Sequence, residues 1–143
     1  MSADLVTDCL ARLDEAHQNG VITDHSVETM RSWLREPRYA EFAEQLADLI
    51  VRAKADQEIW KSLDDAYWTV IPFGTGGRRG KMFPVGSNAI NDRTIGESAQ
   101  GLAEYVMATR AKGSEPSCTI AYDTRHRSEH FAKLCSEILL AAG

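Results

Sequence analysis

The chain has 143 residues and a formal charge of −5, with 43% hydrophobic and 26% charged side chains, which is the composition of a folded domain with a real core. The acidic balance argues against general nucleic-acid binding, and no stretch reaches the apolar length of a bilayer span. Met1-Ser2-Ala3-Asp4-Leu5 carries no basic stretch and no long apolar run, so no secretory leader is expected and a cytoplasmic location is.

The first half reads as helices. Leu5, Cys9 and Leu13 recur at helical spacing with Val6 and Leu10 beside them, and Gly20 closes the segment as a C-cap would. Val27, Met30, Trp33 and Leu34 predict a second helix, capped by Asp24 or Ser26 and stopped at Pro37. Phe42, Leu46, Leu49, Ile50 and Ala53 give a third stripe, and Ile59, Leu63 and Tyr67 a short fourth. These stripes read as core, with Trp33 and Trp60 as packing anchors; His17 and His25 fall near helix ends as capping or solvated residues. No chemistry is visible in residues 1–67. Cys9, Cys118 and Cys135 lack metal-ligand or CxxC spacing and read as buried, reduced thiols.

The pattern then changes. Trp68 to Phe73 reads as a strand, with Pro72 placing it at a sheet edge or at its own end. After a glycine-rich loop, Thr94 and Glu97 match a capping box, and Ile95, Ala99, Leu102 and Val106 carry a helix to about Arg110. Cys118 to Tyr122 reads as a second strand, and Ser128 caps a last helix through Phe131, Leu134, Cys135, Ile138 and Leu139. The order strand, loop, helix, strand, loop, helix is an α/β pattern, a βαβα unit that ordinarily continues into another strand. The chain therefore reads as cut short.

The loop holds the chemical interest. From Gly74 to Arg93 the charges are Arg78, Arg79, Lys81 and Arg93 against Asp92, a basic island in a chain of net charge −5. A dinucleotide fingerprint needs a third glycine where Arg79 stands, and a P-loop needs glycine at Thr75 and a hydroxyl at Met82, so both motifs fail. The physical pattern survives them. Gly74, Thr75, Gly76 and Gly77 leave the backbone open to an anion, and a guanidinium at Arg79 suits phosphate oxygens. The plain alternative is a tight surface turn with solvated arginines.

"FGTGGRRG" resembles the F-G-T-x-G-x-R-G signature of the α-D-phosphohexomutases, the phosphoglucomutase and phosphomannomutase superfamily. The likeness continues through "GSNAINDRTIGESAQGLAEYV" and "IAYDTRHRSEHFAKLCSEILLAAG". It spans residues 68–143, and residues 1–67 resemble the helical N-terminal extension of the larger members. The resemblance implies the first part of domain I, truncated before the catalytic serine loop. It also implies an enzyme that moves a phosphoryl group between positions 1 and 6 of a hexose, through a phosphoserine and a hexose 1,6-bisphosphate, with Mg²⁺. The signature arginine falls on Arg79, which would stabilise the phosphate in transit. Thr75, Gly76 and Gly77 would shape the substrate loop, and Arg78, Lys81 and Arg125 would be secondary contacts. Asp123 and Arg125 would order the turn into the last helix, with His126 and His130 on the surface.

The family's T-A-S-H-N-P-like serine loop, D-x-D-x-D metal loop and G-E-x-S-G sugar loop do not occur in the sequence. Asp64-Asp65, the one nearby acidic pair, lies on a predicted helix. The metal ligands are thus expected outside this chain, its partners being a sugar phosphate and the remaining domains of a longer protein. Alone it is expected to be inactive, with apolar surface exposed. The competing reading is a non-catalytic phosphate-binding or protein-interaction module, which requires a closed sheet.

Overall fold

Ser2 starts the first helix by accepting a hydrogen bond from the Leu5 amide at 3.3 Å. In the computed structural model, which describes all residues from Met1 to Gly143, four helices follow in succession: α1 (Ala3–Gln18), α2 (Asp24–Arg35), α3 (Ala40–Arg52) and α4 (Gln57–Tyr67). Gly20, at φ +68°, ends α1. The Gly20 amide returns to His17 O and the Val21 amide to Ala16 O, the paired bonds of a Schellman ending. Thr23, rather than Asp24 or Ser26, caps α2, its hydroxyl accepting from the Ser26 amide. A single 3-10 turn, Pro37–Tyr39, separates α2 from α3, because proline fits the first turn of a helix and not its interior.

The predicted stripes are the core. Leu13, Met30, Trp33, Leu46, Ile50, Leu63 and Tyr67 are buried together. Trp33 stacks on Tyr39 with ring centroids 4.8 Å apart and meets Tyr67 edge-on at 5.1 Å, arrangements that aromatic quadrupoles favour. Val85 and Ala89 join this cluster from the loop beyond α4. The compact unit formed in this way runs from Met1 to Asn91.

The second unit runs from Asp92 to Gly143. It consists of α5 (Asp92–Thr109) and α6 (Ser128–Ala141), packed against each other and joined by a segment without helix or strand. Ala99 and Ala103 are buried on α5, whereas α6 has no fully buried residue. Leu140, Tyr105 and Tyr122 are exposed.

The architecture is that of a partial α/β domain, mostly helical, with one small antiparallel sheet of β1 (Phe73–Gly74) and β2 (Gly77–Arg78). Its strands are shorter than the sequence pattern predicts. Pro72 has no amide to donate, and the Ile71 amide bonds to Ser87 O at 2.8 Å instead of to a strand. Residues 118–122 form no strand. A strand is defined by its partner, and an apolar run alone does not supply one. The capping expectations on the later helices also change: α5 begins at Asp92, two residues before Thr94, and Arg93 pairs with Glu97 at 2.7 Å. Ser128 is the first residue of α6, its hydroxyl accepting from the Asp123 amide at 3.2 Å. Of the cysteines, Cys9 is buried and Cys135 half-buried, but Cys118 is exposed.

Candidate functional site

The glycine-rich segment folds as a hairpin. Phe73 pairs with Arg78 and Gly74 with Gly77, leaving Thr75 and Gly76 as a two-residue turn. Gly77 has φ +108°, where a side chain would strain the backbone. At Gly76 a Cβ would stand 3.9 Å from Nη2 of Arg79, so the Arg79 guanidinium lies back over the turn. Arg79 is exposed and Arg78 half-buried.

The hairpin projects from a loop whose ends are tied together. Ser87 Oγ donates to Thr69 O at 2.7 Å, and the Ile90 amide to Lys81 O at 2.8 Å. The end of α4 is the anchor. Asn88 donates its amide to Ala66 O at 2.9 Å and its Nδ2 to Asp65 O at 2.8 Å, so two of the carbonyls that a helix end leaves open find partners there. Asn91, buried, donates Nδ2 to Gly86 O at 2.9 Å. Arg79 and Lys81 line an open cavity of about 480 Å³ together with Asp65, Gly80, Phe83 and Asn88. Within it Lys81 Nζ lies 2.8 Å from Asp65 Oδ2.

Of the residues singled out in the sequence, Thr75, Gly76, Gly77, Arg78, Arg79 and Lys81 therefore share one hairpin and its base. Arg125 belongs to the other unit. There Asp123 accepts the Arg125 amide at 3.0 Å and its Nε at 2.7 Å, closing the turn before α6. The same bonds, the backbone one foremost, hold the Asp123 carboxyl below its ordinary value.

Four side chains carry more than their sequence context announced. Asp65, read only as half of a failed metal motif, is the partner of Lys81; its neighbour Asp64 accepts both the amide and the hydroxyl of Thr23. Asp92 receives Arg127 Nη2 at 2.6 Å and His130 Nε2 at 2.9 Å, joining the starts of α5 and α6. Arg127 is the one non-glycine residue with positive φ, +60°, and its guanidinium lies over the Phe131 ring. No local spacing signals a pairing across 35 residues. No group of three or more His, Cys, Asp or Glu side chains converges in a geometry that could hold a metal ion.

Residues 71–143 match the family model described as phosphoglucomutase/phosphomannomutase, alpha/beta/alpha domain I, which takes in the hairpin and both helices of the second unit. The chain belongs to the phosphoglucomutase/phosphomannomutase family. Among curated proteins it is similar to the phosphoglucomutase of Staphylococcus haemolyticus, 34% identical over 96 residues, or 67% of this chain and 17% of that protein. A Staphylococcus aureus phosphoglucomutase matches over the same share at 34% identity. That of Staphylococcus epidermidis is 41% identical over 71 residues, 50% of this chain and 12% of that protein. The chain thus spans about a sixth of the length of the first two of these phosphoglucomutases, 17%. No solved structure matches it.

Proposed function

We propose that the chain forms the opening part of domain I of a phosphohexomutase and that Arg79 is its catalytic-site residue. The reaction assigned is transfer of a phosphoryl group between positions 1 and 6 of a hexose, through a phosphoserine enzyme and a hexose 1,6-bisphosphate. Residues 1–67 are taken as the helical extension and 68–143 as the domain I portion. The serine, the Mg²⁺ ligands and the sugar-selecting loop belong to remaining domains of the longer protein. A cytoplasmic location accompanies this reading.

The observation that carries the proposal is the guanidinium of Arg79 laid over a turn of small residues, in a loop anchored at both ends. Phosphoryl transfer asks the protein for positioning and charge stabilisation more than for covalent chemistry. A planar cation that is exposed, yet fixed at its base, meets both needs. Thr75, Gly76 and Gly77 leave the backbone beneath it accessible to phosphate oxygens. Arg78, partly buried in the ladder, and Lys81, engaged by Asp65, are assigned secondary roles. Arg125 is assigned to the turn before α6 first, and to substrate second.

The test is a coupled mutase assay on the full-length protein. Arg79→Ala is expected to lower kcat by about 10²–10³-fold, the loss typical of a preorganised charge-stabilising donor. Arg78→Ala should cost less than about tenfold, and the 143-residue chain alone should show no turnover. Equal losses at the two arginines would remove Arg79 from the chemistry.

A further inference from the structure

Lys81 already has an anionic partner. Its ammonium and the Asp65 carboxylate are 2.8 Å apart, with side chains 84% and 62% exposed. An ion pair this open contributes little to folding. Asp65 also stands in the last turn of α4, which holds no basic residue and where the helix dipole disfavours a carboxylate. Its backbone carbonyl serves the fold by accepting Asn88 Nδ2; its carboxylate instead lies in the cavity lined by Arg79 and Lys81. A negative charge in that position opposes an entering phosphate and competes with it for the ammonium.

We infer that Asp65 sets the phosphate affinity of this site: it holds Lys81 in a resting ion pair, and a phosphate dianion binds by drawing Lys81 away from it. The inference rests on reading the loop as a phosphate site. Lys81 has a flexible four-carbon stem and a point charge, so it can pass from one acceptor to another without movement of the backbone, which the Ile90 amide fixes at Lys81 O. Affinity is then set by the difference between two acceptors. A monoanion offers Lys81 no more charge than Asp65 does, whereas a phosphate monoester dianion offers twice as much.

Calorimetric titration of the 143-residue chain with inorganic phosphate at pH 8 and low ionic strength tests this, in wild type, Asp65→Asn, Lys81→Met, the Asp65→Asn/Lys81→Met double variant and Arg79→Ala. Both side chains are exposed, and an unchanged helical circular dichroism spectrum establishes that each variant is folded. Asp65→Asn is expected to bind phosphate about 3- to 10-fold tighter, the size of a surface charge effect. In the Lys81→Met background that gain should fall below about twofold. An equal gain in both backgrounds would reduce Asp65 to a distant contributor to the field, and weaker binding by Asp65→Asn would make it a brace for the loop; either result overturns the inference alone. Absence of any difference between wild type and Arg79→Ala would overturn the phosphate site itself, and the inference with it.

Discussion

Gly86 has φ +105°, and a Cβ placed on it would lie 2.5 Å from Ala66 O and 2.7 Å from Ala66 Cβ. Two independent costs therefore oppose any side chain there. Gly86→Ala should destabilise by about 1–3 kcal/mol through backbone strain alone, with the clash in addition. Gly101 is the matched control: it sits in α5, and a methyl added there would meet nothing within 4 Å, so Gly101→Ala should stabilise by about 0.5–1 kcal/mol. Urea unfolding of both variants separates the two cases, and similar midpoints would refute the assignment. Residues of this kind divide sharply in how far a sequence reveals them. Arg79 stands out because glycines and arginines are a rare pairing in an acidic chain. Asp65 and Asp92 do not, since a carboxylate's meaning depends on which cation the fold delivers to it, and here the cations come from 16 and 35 residues away.

At the scale of elements, the turn from Asp123 to Ser128 is held by hydrogen bonds to one carboxylate and one hydroxyl. The Asp123 carboxyl titrates below its unfolded value because those bonds favour its charged form. Its contribution is thus fully present above the unfolded aspartate range and disappears as pH falls through the lowered folded value. An NMR pH titration should show the Arg125 amide shifting with a midpoint below that of a free aspartate side chain, and losing the transition in Asp123→Asn. A midpoint at the ordinary value would contradict the turn as described. The helices were legible because their apolar stripes are local and repeat at one period. The strands were not: Trp68–Phe73 and Cys118–Tyr122 have the composition of strands, but only Phe73–Gly74 finds a partner, supplied by the chain's own hairpin. Composition records a tendency to be extended, and pairing is a tertiary event.

Over the whole molecule, order should follow burial. Leu46, Ala47 and Ile50 of α3 are buried, while α6 contributes no buried residue and exposes Leu140 at 82%. Native-state hydrogen exchange should therefore find amides of α3 protected to the limit of global unfolding and those of α6 opening well below it. Equal protection would mean that α6 is covered in solution. The boundary between Asn91 and Asp92 leaves the arginine hairpin in the same compact unit as the four helices, although the family match starts only at Ile71. Asn88 and Gly86 explain how the loop joins that unit, since one bonds to the end of α4 and the other leaves room for it. This join has an evolutionary corollary. In a lineage that lost the helices, position 88 would have no α4 carbonyls to satisfy and would be released to drift, whereas position 86 would lose the clash with Ala66 but keep the positive φ that favours glycine. Gain or loss of the upstream segment would then leave its scar at position 88, at a distance from that segment and inside the residues that match the family.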